Sequence, residues 1–169
     1  GGTGRELAGH LDLATLGAFT TRSIRLDASP GAASPRLVET ASGLLQSTGR
    51  PQPGVLGFLS GELPWLAQQQ LRTVVSVVGS TLGEYAEVAR RVVTGPGVLG
   101  LELNLVSPNR ERDGRSFAED AYSVGKVVAA VRGEVPRGVA VLAKLAPGPG
   151  LVDRARAAHE KGADAVVLV

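Results

Sequence analysis

Cysteine and methionine are absent from these 169 residues. Without cysteine there is no disulfide, no thiolate metal site and no cysteine nucleophile, and the absence fits a reducing cytoplasm. Aromatic residues are scarce, with one Trp, two Tyr and three Phe, too few for a base-stacking platform. Lys and Arg outnumber Asp and Glu only by 18 to 16, a formal charge of +2. Although the pI is near 9.4, no basic run is long enough to track a phosphate backbone, so nucleic acid is not an expected partner. No apolar run approaches the roughly 20 residues of a membrane span, and no membrane partner is expected. The first residues do not read as a secretion signal. The two histidines, His10 and His159, are too far apart in sequence for a metal-ligand spacing, and no metal site is expected.

What is present is an ordinary globular balance, 43% hydrophobic and 20% charged, in a chain long enough for one domain with a substantial core. Strands and helices alternate. Gly17–Ile24 reads as a strand. Gly57–Gln70 reads as helical, with Pro64 near its middle dividing or kinking it. Thr73–Val78 is a β-branched run, hence a strand. A helix from Thr81 to about Val93 starts with a capping-box spacing between Thr81 and Glu84. Gly100–Val106 is the next strand, Asp120 to about Gly133 a helix, and Val139–Ala146 a strand. Leu151–Lys161 is a helix that stops at Gly162, a residue suited to a left-handed cap. Ala163–Val169 is a last strand. The region from Asp27 to Gly54 is rich in Gly, Pro and Ser without helical period, and reads as a long functional loop.

Nearly continuous apolar strands separated by helices predict a parallel sheet. No G-x-G-x-x-G follows the first strand and no P-loop occurs. Polar residues gather instead near the strand C-termini, where a (β/α) barrel carries its site: Arg22, Ser23, Ser76, Asn104, Ser107 and Lys144. The fold expected is α/β, a partial (β/α)₈ TIM barrel of about five parallel strands with intervening helices.

The most informative stretch is Glu102-Leu103-Asn104-Leu105-Val106-Ser107-Pro108-Asn109. With period two, Glu102 and Asn104 share one face, and Leu101, Leu103 and Leu105 the other. In the run from Val139 to Leu145, Lys144 shares a face with Ala140 and Leu142. A buried unpaired amide or ammonium is costly, so two such strands predict a ligand site. For Asn104 the alternative is a strand-end amide bonded to neighbouring backbone. For Lys144 it is a buried stem with its head snorkelling to water.

The ordered blocks GAFTTRSI, SPRLVETASGLLQSTG, ELPWL, VVSVVGSTLGEYAEVARR, LELNLVSPN, VLAKLAP and GADAVVLV resemble the dihydroorotate dehydrogenases, and most the class 1 soluble enzymes. The similarity is collinear from about Gly4 to Val169. The resemblance implies an FMN-binding barrel that oxidises dihydroorotate to orotate in pyrimidine synthesis. The strands match the second to sixth of such a barrel, in a single incomplete domain spanning residues 1–169. The first strand, and the seventh and eighth whose loops hold the FMN phosphate, fall outside. The chain is thus read as an internal fragment or truncated product.

By that resemblance, Arg22, Ser23, Ser76, Asn104, Lys144 and Val169 are candidate cofactor contacts, and Arg22, Gln46, Ser47, Thr48, Gly49, Arg50 and Asn104 candidate substrate contacts. Asn104 corresponds to an asparagine touching both FMN and substrate, and Lys144 to a lysine whose charge stabilises reduced flavin. Ser107 stands where class 1 enzymes carry a catalytic cysteine. A thiol titrates near about 8.5 and can be poised as a base, whereas an alcohol needs a proton relay. The alternative is a serine capping its own Ser-Pro-Asn turn. Arg22 replaces a lysine, which is not a neutral exchange; its alternative is a charged strand end facing solvent. Gln46 lengthens an amide stem, Arg50 replaces an apolar residue and Val106 a serine. The segment from Arg110 to Asp120 matches a mobile substrate loop, with Gly114 as hinge and Arg110, Arg112 or Arg115 toward an anion; each arginine reads equally as solvated. Glu84 to Arg91 reads as an exposed face laced with charge pairs.

Two functions follow. One is an FMN-dependent dihydroorotate dehydrogenase acting on a small molecule, cytoplasmic, as a homo-oligomer with an electron-transfer subunit in some relatives. The other is a non-catalytic paralogue or barrel fragment with an assembly role, since the departures at Arg22, Gln46, Val106 and Ser107 cluster at the chemistry. A different FMN barrel substrate is a third reading.

Overall fold

A computed structural model describes residues 2–106, 117 and 119–169; Ser107, Arg110, Arg112, Gly114 and Arg115 lie outside them. A 3₁₀ turn at Leu13–Thr15 precedes strand β1, Phe19–Thr20. Then come the hairpin strands β2 (Leu37–Thr40) and β3 (Gly43–Gln46). Next is a helical stretch of α1 (Gly54–Gly57), a π segment (Phe58–Glu62) and α2 (Leu63–Gln68). The rest alternates: β4 (Thr73–Val77), α3 (Leu82–Val92), β5 (Val98–Asn104), α4 (Ala121–Glu134), β6 (Ala140–Leu145), α5 (Leu151–Glu160) and β7 (Ala165–Leu168).

The five strands β1-β4-β5-β6-β7 pair in parallel in that order and curl into a half-barrel with helices between them. Each crossover carries a helix onto the outer face, as the right-handed βαβ connection requires. That face is sealed: Leu101, Leu103, Leu105, Val141, Ala143 and Leu145 are buried, with Val88, Val92, Val124, Val128 and Val131 of α3 and α4 also in the core. The even-numbered residues, Glu102 and Asn104 on β5 and Ala140, Leu142 and Lys144 on β6, occupy the other face. There the β6 residues and Asn104 are only half-buried. The period-two reading of these two strands is therefore what the chain adopts.

Caps set the helix starts. Thr81 Oγ1 accepts from Glu84 N at 3.1 Å and Asp120 Oδ1 from Ser123 N at 2.8 Å. The Glu84 carboxylate reaches Ser80 N, at 2.6 Å, rather than the Thr81 N–H of a strict capping box. Gly162 ends α5 with φ of +102°, as expected of a left-handed cap.

Three expectations need correction. The strand expected over Gly17–Ile24 is broken. Thr20 is its last regular residue, and Ile24 returns as an isolated bridge to Val77. The region from Asp27 to Gly54 is not structureless, since it holds the β2–β3 hairpin. Every residue of that hairpin is exposed, so no buried face imprinted an alternation on the sequence. The helix around Pro64 is neither split nor simply kinked. A π segment immediately precedes Leu63, so the ring lies at the start of a new α-helical register, where the missing N–H costs little.

Candidate functional site

The break after β1 builds the site. Thr21 N donates to Val74 O, and Ile24 N donates to Ser76 O. Between them the Ser76 N–H is taken by the Thr21 hydroxyl at 3.2 Å instead of by backbone. Arg22 and Ser23 are thereby released from the ladder and bulge over the C-terminal end of the sheet. Thr21 also donates to Arg22 O at 2.9 Å, which fixes the bulge.

Ser23 then ties the bulge to two strands. Its Oγ lies 3.0 Å from Ser76 Oγ on β4 and accepts from Asn104 Nδ2 on β5 at 2.8 Å. The Asn104 Oδ1 accepts from Val106 N at 3.2 Å, and the Asn104 carbonyl accepts from the Tyr85 hydroxyl at 2.9 Å. The local backbone bond is the one expected of a strand-end Asn, but the amide also reaches across the sheet. Tyr85 is buried on α3 and meets Phe117 edge-on, at 5.7 Å between ring centroids. A residue of the outer layer thus anchors the end of β5 from behind.

Beside this network, Lys144 of β6 directs its ammonium to Glu102, with Nζ 3.5 Å from Oε1. The Glu102 side chain is 8% exposed and that of Lys144 30%. The ammonium is neither lost to bulk water nor alone.

These residues line one cleft of about 590 Å³ together with Thr20, Arg25, Arg50, Gln52, Val78 and Val169, a size within the range of about 300–1,000 Å³ usual for small-molecule sites. Arg22, Arg25, Arg50 and Lys144 face it against the single carboxylate of Glu102, so the lining favours an anion. Arg22 makes no ion pair among the described residues. None of these residues forms a metal-binding group, and among the described residues no cluster of three His, Asp or Glu exists. No helix among the described residues is long and apolar enough to cross a membrane.

Of the candidate contacts, Arg22, Ser23, Arg50, Ser76, Asn104, Lys144 and Val169 converge on this cleft. Gln46, Ser47, Thr48 and Gly49 do not line it. Gln46 ends the exposed strand β3, Ser47 N donates to Arg36 O, and Thr48 O accepts from Ala32 N. Arg50 follows Gly49, and both take left-handed φ, +64° and +54°; the chain reverses there and delivers Arg50 to the rim. Ser107 lies outside the described residues.

Gln52, Thr21 and Arg25 line the cleft without having been singled out in the sequence. Gln52 is buried, and its Oε1 accepts from Arg25 N and Gly54 N, each at 3.2 Å, while Nε2 donates to Asp27 O at 3.0 Å. It staples both ends of the long loop beneath the cleft, and its Pro51-Gln52-Pro53 setting carries no sequence signal of that role. Glu102 was visible as a polar residue on the site face, but its partner was not.

The curled parallel (β/α) sheet thus carries a cationic, hydroxyl- and amide-lined cleft at the C-terminal strand ends, the end at which (β/α) barrels carry their sites. The dihydroorotate dehydrogenase family profile matches residues 1–169. The chain is 39% identical over 169 residues to the dihydroorotate dehydrogenase B (NAD(+)), catalytic subunit, of Pelobacter propionicus, covering 99% of this chain and 55% of that protein. It is 40% identical over 171 residues to the protein of the same name from Anoxybacillus flavithermus, covering 99% and 54%. The chain belongs to the dihydroorotate dehydrogenase family, and spans about half the length of the curated relatives it matches.

Proposed function

We propose that this chain forms the flavin- and substrate-facing wall of a dihydroorotate dehydrogenase that oxidises dihydroorotate to orotate. The observation that carries the reading is the convergence of Ser23, Ser76, Asn104 and Lys144, from four separate segments, on one cleft. The donor set suits FMN. The edge of its ring system offers carbonyls and a ring nitrogen, and the cleft answers with an ammonium, an amide fixed in one orientation, and two hydroxyls. Bound there, FMN supplies the electron sink that no side chain provides. The other roles belong to the chain. Lys144 and Asn104 would orient the ring, and the Lys144 ammonium would hold positive charge where negative charge develops. Arg22 clamps the substrate carboxylate. Ser107 takes a proton from a substrate carbon and needs a relay to do so.

The setting proposed is cytoplasmic. Relatives named as catalytic subunits point to an electron-transfer partner subunit, and a homo-oligomeric catalytic core is proposed with it. A non-catalytic relative is favoured by one observation, that Gln46 to Gly49 stand away from the cleft. A visible spectrum of the complete purified gene product separates the two. Flavin absorption bleached by dihydroorotate supports the dehydrogenase. A colourless protein that gains no bands with added FMN overturns it.

A further inference from the structure

Glu102 has no part in the chemistry above, yet it is the most deeply set charge of the cleft. Its residue is 6% exposed, and its neighbours Leu101 and Leu103 are buried in the helix-covered core. A carboxylate at such depth is costly unless paired. Among the described residues its partner is Lys144. The sheet register explains the meeting. Asn104 stands opposite Lys144, and Glu102 opposite Leu142. The Lys144 ammonium therefore reaches back one strand repeat to lie 3.5 Å from the carboxylate. Both groups stand on regular strands, so their spacing is a property of the sheet and not of a loop.

We propose that Glu102 is the positioning residue and counter-charge of Lys144. It holds the ammonium against the floor of the cleft and cancels part of its field, so that a bound ring meets a partly neutralised pair rather than a bare cation. The proposal rests on the flavin reading of the cleft. Its consequence follows from electrostatics: a bare ammonium favours the more negative, reduced cofactor, and a paired one does so less. Glu102 thus holds the cofactor's potential down.

The test uses the complete gene product loaded with FMN. E102Q keeps the shape and removes the charge. FMN remains bound, and at a fixed ambient potential the ratio of reduced to oxidised flavin rises about tenfold, an upward shift of about 30 mV for a two-electron couple. E102D retains the charge and moves the ratio by no more than about threefold. A purely structural role for Glu102 would release FMN or destabilise the fold with no shift in the retained flavin. An unchanged or lowered potential in E102Q overturns the proposal. A second measurement needs no flavin. In urea unfolding of E102Q, K144Q and the double variant, the two changes couple by about tenfold in the unfolding equilibrium constant. Coupling below about twofold overturns the pair. If E102Q does not fold, E102D with K144Q closes the same cycle, with coupling of about threefold expected. A colourless protein with intact coupling sinks the flavin reading and the potential-setting role, but leaves the pairing in place.

Discussion

Among the described residues, Asn104 is held by two side-chain hydrogen bonds, Nδ2 to Ser23 Oγ at 2.8 Å and Val106 N to Oδ1 at 3.2 Å. Asn104→Ala removes both. At about 1 kcal/mol net per bond, the loss is about 2 kcal/mol. For a domain of this size that lowers Tm by about 4–8 °C. Asn104→Asp separates stability from binding. Its carboxylate still accepts from Val106 N, and the Ser23 hydroxyl can turn to donate to it. Asn104→Asp is therefore expected to lose less than about 1 kcal/mol. It nevertheless replaces the amide donor with a negative charge in the cleft, and flavin affinity should fall by at least about tenfold, the equivalent of one charge-assisted hydrogen bond. Urea unfolding and FMN titration of the two variants read these quantities side by side. If Asn104→Ala unfolds at the wild-type midpoint, the Ser23–Asn104 link does not exist and the geometry of the site is wrong. If Asn104→Asp binds FMN as well as wild type, the amide does not face the cofactor.

Three further perturbations probe the frame. Gly49→Ala forces an alanine into φ of +64° and drives its Cβ into Ala32 N; a loss of about 2 kcal/mol is expected in thermal unfolding, with faster amide exchange at Ala32. Thr81→Ala removes the acceptor for Glu84 N and should cost about 1 kcal/mol, while Thr81→Ser keeps most of it. Hydrogen bonds from Arg90, then from Arg91, hold the Glu87 carboxyl below its usual pKa of 4.5. Its contribution to stability is thus fully present above that value and lost as pH falls through the lowered one. An NMR titration of the Glu87 side chain with a midpoint at or above the ordinary value would contradict the pairing, and Arg90→Ala together with Arg91→Ala should restore that value.

Much of the frame was legible because burial wrote it into the sequence. The β-branched run at Thr73–Val77 is buried throughout, and no position there is free to carry a charge. Leu101, Leu103 and Leu105 alternate with polar residues because one face of β5 meets helices and the other meets the cleft. The hairpin was illegible for the opposite reason. Leu37 is 58% exposed and Leu44 66%, so neither face had to be apolar, and the turn at Ala41-Ser42 lacks the Asn-Gly or Asp-Gly signature of tight hairpins. The bulge at Arg22–Ser23 was hidden in another way. It arises because a Thr21 hydroxyl replaces a backbone acceptor for Ser76 N, and that substitution requires a neighbouring strand 55 residues away.

The site shows a related division. Residues that contribute chemistry from strand ends stand out, because a polar side chain in an apolar alternation demands a reason. Residues that only hold the backbone, such as Gln52, look like any loop amide until the N–H groups they satisfy are known. Glu102 falls between the two kinds: its parity marks it as facing the cleft, but its meaning depends on the β5–β6 register, which sets Lys144 one repeat beyond it. Parity also predicts how damage is distributed. Leu103 and Ala143 lie on the sealed face and are buried, so enlarging or truncating them changes packing and registers as lost stability. Asn104 and Lys144 sit one residue further along on the half-open face, so their replacement registers in what the cleft binds as well as in stability. A single-residue slip of β6 against β5 would exchange these two classes, burying the Lys144 ammonium beneath helices and exposing Ala143 to the cleft. The aliphatic side chains of the outer face therefore do more than stabilise the sheet: by excluding that register, they put Lys144 on the same side as Glu102 and Asn104.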